Sequence, residues 1–361
     1  MSLNIQKNVS LAEFTTLKIG GAARFFVSAK SENEIVEALE FARQNDLKFF
    51  TLGGGSNVLI NDSGFDGIVL HIGIQGISVA ETTNETVFVT ARAGEDWEKF
   101  VAFCVDKNLQ GVECLSGIPG SVGGTPVQNV GAYGQEVAET IQSVKVIDRE
   151  NGDVFEMTNS ECEFAYRASV FNTTRKNRFI VLSVTFTLKK GGTPKIVYKD
   201  LQNFFAGKKP TLHEARQAVL EIRRAKSMVI DERDPNSKSA GSFFKNPIVE
   251  RKQFTEIEAQ ARNLKIIAAT ENLTNYTVDE NNLKIPAAWL IEKSGFGKGY
   301  KTGRVGLSTN HTLAIVNLGE ATAGDVLALK NEIQTKVKEK FGVELKPEPI
   351  FVGFENQIER D

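Results

Sequence analysis

Apolar residues recur along the chain with two periods, and each change of period marks an element. Alternation of period two predicts strands over residues 86–91, 143–148 and 179–188, where every second side chain would face a core. Spacing of three and four predicts helices over about 95–107, 211–226, 251–264, 285–293 and 323–341. An earlier helix opens at Ser31 with Glu34 three residues on, the capping-box pattern, and Ile35, Leu39 and Ala42 supply its buried stripe. Thr211 and Glu214 repeat that pattern, while Gly295 and Gly342 stand where two later helices should stop. The remaining apolar runs predict a glycine-broken strand pair over 14–27, a strand over 310–316 and a strand-turn-strand over 343–354. Sheets and helices alternate without an internal repeat, which indicates an α+β fold. The texture divides into 1–73, 74–205 and 206–361, two cofactor-side units followed by a substrate-side unit.

Two glycine clusters interrupt this patterning. The strand at 49–52 runs straight into GGGSN (Gly53, Gly54, Gly55, Ser56, Asn57), and apolar residues resume at 58–60. This turn lacks the spacing and following helix of a dinucleotide fingerprint, and a glycine turn between strands is usually only a turn. The second cluster, residues 117–136, reads GIPGSVGGTPVQNVGAYGQE and holds six glycines and two prolines in twenty residues. Ile118, Val122, Val127, Val130, Ala132 and Tyr133 are interleaved with them, so it is a packed loop rather than a linker. Glycine lets backbone amides approach a ligand closely, and successive amides make an anion-binding concavity. The pattern points to a loop wrapped around a phosphorylated cofactor.

Composition narrows the class. Length 361 leaves room for two or three domains, and 43 basic against 45 acidic residues give a net charge of −2 with no long run of either sign. That argues against nucleic acid or a polybasic membrane contact as partner. No apolar run reaches spanning length, no secretory pattern opens the chain, and a cytoplasmic location is expected. Cys104, Cys114 and Cys162 are odd in number and lack metal-ligand spacing, so they are expected to be buried free thiols, and no metal site is expected. A net charge near zero and the absence of heptads leave a monomer as the default.

Five ordered segments carry a resemblance. GGGSN, GIPGSVGG…NVGAYG, Tyr166-Arg167-Ala168-Ser169-Val170-Phe171, AGSFFKNP (240–247) and the late PEPIF run are similar to the UDP-N-acetylenolpyruvoylglucosamine reductase family, from Thr16 to about Gly353. The resemblance is to the longer form of that family, with a substrate-closing tyrosine. It implies an FAD domain of the vanillyl-alcohol oxidase type over roughly 16–190, two subdomains holding FAD, and a third domain over the flavin. It also implies NADPH as reductant and a nucleotide-sugar, UDP-N-acetylglucosamine enolpyruvate, as the small-molecule substrate in peptidoglycan precursor synthesis. Covalent attachment through a histidine of the first glycine loop is not expected, because Ser56 stands there and the histidines are His71, His213 and His311.

Residue by residue, the resemblance places the first loop and Gly117, Pro119, Gly120, Ser121, Gly123, Gly124, Asn129, Gly131, Ala132, Tyr133 and Gly134 against FAD. Arg167 would grip the substrate carboxylate, since a guanidinium offers two parallel donors; taken alone, it could equally be a surface ion pair. Ser242 would donate the proton, a weak acid sufficing against a carbanion-like centre. Glu348, between Pro347 and Pro349, would stabilise the enolate as a neutral carboxylic acid. A turn serine and an exposed turn glutamate are the plain alternatives for these two. Lys226, Lys245, Asn246 and Arg223 are candidates for the diphosphate, and Tyr198 for closure over substrate, with ordinary core packing as its alternative. Residues 227–239 form a longer connection than the compact form of the family has. Two other classes compete: a flavin oxidase of the same superfamily acting on an alcohol or hydroxy acid, and a non-catalytic nucleotide-sugar binder.

Overall fold

The computed structural model describes residues 3–354, which divide into two compact units that are not contiguous in sequence. Among the described residues the first comprises 3–10, 22–55 and 64–230; the second comprises 11–21, 56–63 and 231–354. Two short N-terminal segments are thus lent to the C-terminal unit.

Among the described residues the sheet structure of the first unit is one short strand pair, Gly131–Ala132 with Gln135–Glu136, and two larger sheets. One runs Gln6–Ser10, Ala22–Ala29, Phe65–Ile72, Lys48–Leu52, its first pair antiparallel and the rest parallel. The other runs Val154–Thr158, Ile141–Asp148, Phe179–Lys190, Thr86–Arg92, Ile77–Glu81, antiparallel throughout, with Leu109–Gln110 pairing the end of the long strand. One apolar core spans both. Ile35, Ala38, Leu39 and Ala42 of helix α1 (Glu32–Gln44) and Trp97, Phe100 and Val101 of α2 (Trp97–Asp106) are buried in it with Val89 and Phe186. Ser31 caps α1 as expected, but the Glu34 carboxylate accepts from the Lys30 amide, one residue before the one a full box would use.

Two further helices complete the unit, α3 (Lys199–Phe205) and α4 (Leu212–Ala225). The α4 capping box is complete. Thr211 N–H donates to Glu214 at 2.7 Å, and Glu214 N–H donates to the threonine hydroxyl at 3.2 Å. Thr211→Ala is expected to cost about 1 kcal/mol and lower the melting midpoint by about 2–4 °C, read by calorimetry.

The second unit is built on α5 (Arg251–Asn263), α6 (Ala287–Lys293) and α7 (Ala323–Phe341). Two three-stranded sheets and one parallel strand pair accompany them. Val326, Leu329, Ile333 and Val337 give α7 a continuous buried face against Phe243, Phe244, Leu290 and Ile291. Gly342 stops the helix in the left-handed region at φ 66°, as its C-cap position demands. The parallel pair joins Val58–Ile60 to Ile350–Val352. Asp62, just beyond, accepts from the Ala323 and Gly324 amides at the α7 N-terminus, at 2.7 and 3.0 Å.

Three sequence expectations need correction. Of 14–27 only Ala22–Ala29 is a strand, and its partner is Gln6–Ser10. Lys18 at φ 56° and Gly20 at φ 139° break the extended path before it. Of 310–316 only Ile315 and Val316 lie in a strand, Ile315–Asn317, because His311 and Ala314 first close a turn. The terminal strand-turn-strand contains one strand, Ile350–Val352.

Candidate active site

The long glycine loop is held by α2 and by the residues that lead into it. Trp97 N–H donates to Gly120 O at 3.1 Å, while Val122 and Gly123 N–H donate to Glu95 O and Ala93 O at 2.8 and 2.9 Å. Gly123 lies so near Ala93 that a β-carbon there would sit 2.5 Å from the alanine Cβ. Glu98, on the first turn of α2, accepts from Gly117 N–H at 2.5 Å and pairs with Arg216 of α4 at 2.6 Å. These bonds consume amides at the entrance and base of the loop, so the free concavity is smaller than its glycine content suggested.

What remains faces the first glycine cluster. A β-carbon on Gly54 would lie 2.6 Å from Gly120 Cα, and one on Gly53 would lie 2.8 Å from Ser121 Oγ. The Ser121 hydroxyl is buried and has no hydrogen-bond partner among the described residues. Two backbones in contact beside an unsatisfied buried hydroxyl suit a phosphate-bearing cofactor such as FAD, which would satisfy it. Gly54→Ala would force the loops apart. It is expected to cost about 1–3 kcal/mol of the closed arrangement, weakening FAD retention about ten- to a hundredfold, read as the 450 nm to 280 nm absorbance ratio after gel filtration.

The far end of the loop carries the Tyr166–Arg167 turn. Asn129 Nδ2 donates to Ala165 O at 3.0 Å, Ser169 Oγ donates to Val127 O at 2.6 Å, and Arg167 NH2 donates to Gly131 O at 2.7 Å. Arg167 itself is in the left-handed region, φ 53°, a costly conformation for a non-glycine residue that the surrounding bonds must impose. Asn129 (φ 45°) and Tyr133 (φ 49°) share it. Arg167, Asn129 and Gly131 are therefore one constellation.

Tyr133 begins a second. Its ring meets Tyr198 edge-on at 5.4 Å between centroids, and Lys226 Nζ lies 6.0 Å from its centroid. Burial pushes its hydroxyl pKa up, against the pull of the Arg223 charge. Arg223 is almost wholly buried, which pushes its own pKa down, and it also donates to Met228 O at 2.6 Å. Its Nε has no partner among the described residues. Lys226 is paired with Asp200 of α3 at 2.6 Å.

In the second unit Ser242 and Glu348 fall on neighbouring backbones. Phe243 O accepts from Glu348 N–H at 2.9 Å, Lys245 N–H donates to Lys346 O at 2.9 Å, and Phe244 bridges Pro347 antiparallel. Phe243 N–H donates to Leu313 O at 2.7 Å, so the segment carrying Ser242 is held on both sides. Phe243 and Phe244, both fully buried, anchor it to the α7 core and leave Ser242 half-buried. Asn57 reaches the same place, its Nδ2 donating to Glu348 O at 3.2 Å and its carbonyl accepting from Ile350 N–H at 2.9 Å. Ser56 and Asn57 thus belong to the second unit, whereas Gly53–55 belong to the first. The Asn246 side-chain oxygen accepts from Ala287 N–H at 2.9 Å at the start of α6, so that atom is committed to the fold.

The connection at 227–239 is tied at both ends. Met228 is bonded reciprocally to Arg223, and Asn236 Oδ1 accepts from Thr309 N–H at 3.0 Å. All three cysteines are buried and free; burial raises their thiol pKa values, that of Cys162 to about 12, so they stay protonated and unreactive. Glu98, Arg216 and Asp200 were missed from sequence. Their one legible signal was the seven-residue spacing of Arg216 and Arg223, which sets both on one face of α4. No helix among the described residues is long and apolar enough to cross a membrane.

Comparison with known proteins covers the same ground. A family model described as FAD binding domain matches residues 23–158, and one described as UDP-N-acetylenolpyruvoylglucosamine reductase, C-terminal domain, matches 234–352. The chain is 41% identical to the UDP-N-acetylenolpyruvoylglucosamine reductase of Thermobifida fusca over 98% of this chain and 99% of that protein. It is 42% identical to the protein of that name from Streptomyces coelicolor over 95% and 89%. The solved UDP-N-acetylenolpyruvylglucosamine reductase of Thermus caldophilus superimposes with a TM-score of 0.65 at 24% identity, covering 97% of this chain and all of that one, which shows a shared fold.

Proposed function

The chain belongs to the UDP-N-acetylenolpyruvoylglucosamine reductase family, and we propose that it performs the family's reaction, NADPH-dependent reduction of UDP-N-acetylglucosamine enolpyruvate to UDP-N-acetylmuramate. The observation that carries the residue roles is the placement of Ser242 and Glu348 on two backbones joined by direct hydrogen bonds. Bound FAD supplies the hydride that the methylene carbon of the enolpyruvyl ether accepts.

Hydride addition leaves negative charge on the neighbouring carbon and in its carboxylate, and the side chains must hold that charge and protonate one face. Arg167 grips the carboxylate, the turn that carries it tied by the Asn129 bond to Ala165 O, the Ser169 bond to Val127 O and the Asn172 bond to Arg167 O. Glu348, protonated, donates a hydrogen bond to the enolate oxygen. Ser242 Oγ–H transfers its proton to the carbon, and solvent restores the hydroxyl. Lys226, Lys245 and Asn246 receive the diphosphate, with Tyr198 closing over it.

The division at residues 73 and 205 is proposed for the functional modules, the first compact unit itself running on to Ile230. Steady-state assay of NADPH oxidation with the enolpyruvyl nucleotide-sugar, with product identified by mass spectrometry, tests the function. Absence of the lactyl ether product would refute it.

A further inference from the structure

Lys226, read above as a diphosphate ligand, is held by a carboxylate from the very helix that carries the closing tyrosine. Its ammonium pairs with Asp200 at 2.6 Å, both side chains about one-third exposed. Asp200 lies in the first turn of α3, and Tyr198 is the N-cap of that helix, its carbonyl accepting from Gln202 N–H at 3.0 Å. The two side chains therefore move as one piece. That piece is bracketed by left-handed joints, Gly191 at φ 64° on one side and Ala206 and Gly207 at 47° and 86° on the other. Tyr198 rests edge-on against Tyr133, whose ring also lies under the Lys226 ammonium.

We propose that Asp200 is a positioning residue that occupies the place of the substrate diphosphate on Lys226, and that their exchange releases α3 and lets Tyr198 close. A diphosphate brings at least two negative charges and several acceptor oxygens against one carboxylate, so it displaces Asp200 from a compact ammonium with three donors. The proposal rests on Lys226 being a diphosphate ligand.

The test uses FAD-loaded enzyme and UDP as probe, with binding measured by calorimetry for wild type, Asp200→Asn, Lys226→Met and the double variant, alongside KM and kcat for the enolpyruvyl substrate. Removing a partly buried competing carboxylate should tighten UDP about three- to fivefold. The matching change in turnover should fall on KM rather than kcat. Lys226→Met should weaken UDP about tenfold or more, and Asp200→Asn should have no further effect on that background. If Lys226→Met weakens UDP while Asp200→Asn leaves it unchanged or weaker, the exchange is overturned and Lys226 keeps its role. If Lys226→Met has no effect, the diphosphate assignment and the exchange both fall. Because UDP binding does not depend on turnover, failure of the reductase function would show separately, as absent product with the UDP result intact.

Discussion

Ser242→Ala is expected to lower steady-state turnover about a hundredfold or more while leaving NADPH-driven bleaching of the flavin near the wild-type rate. The two half-reactions separate because Ser242 serves only the second, in which a carbon must be protonated. Its segment is fixed through backbone groups, the Phe243 amide to Leu313 and the Phe243 carbonyl from Glu348, and by two buried phenylalanines. Loss of one hydroxyl leaves all of those in place, so a turnover defect would not report misfolding. Stopped-flow absorbance at 450 nm distinguishes the two phases. Equal slowing of both would count against a proton-donor role.

Arg167→Lys is expected to be nearly as damaging, about a hundred- to a thousandfold in turnover, although charge is conserved. A lysine loses the parallel donors needed for a carboxylate and cannot also reach Gly131 O, which Arg167 now meets at 2.7 Å. It would inherit φ 53° without that contact to offset the strain. Far-UV circular dichroism and FAD content should remain close to wild type, since the turn is also held by Asn129 and Ser169. Retained turnover in the lysine variant would remove bidentate recognition from the account.

Much of the framework was legible because its signals are local. Ser31, Thr211 and Gly342 announced helix ends, and the alternation over 86–91 and 179–188 announced two central strands. The failures share one cause. Leu17 and Ile19 alternate with polar residues as a strand would, yet they pack as a loop against Leu59 in the second unit. Val343 and Leu345 do the same beside α7. Alternation reports that one side of a segment is buried, not that its backbone is paired. The loan of 11–21 and 56–63 to the C-terminal unit was hidden for a similar reason, since texture along a chain cannot show a return across two hundred residues.

The candidate site was legible in residue type and not in wiring. Arg167, Ser242 and Glu348 stood out through the motifs around them. Glu98 on the Gly117 amide, Arg223 on Tyr133 and Asp200 on Lys226 join residues separated by 19, 90 and 26 positions, with no motif that links the two ends. Such contacts are set by how α2, α3 and α4 pack around the glycine loop, which no short stretch encodes.

The most direct test of the central claim is an anaerobic flavin spectrum taken after NADPH and again after UDP-N-acetylglucosamine enolpyruvate. The account predicts bleaching of the oxidised band by NADPH and its full return on adding the nucleotide-sugar, without oxygen. A band that stays bleached until air is admitted would contradict it and favour the flavin oxidase instead.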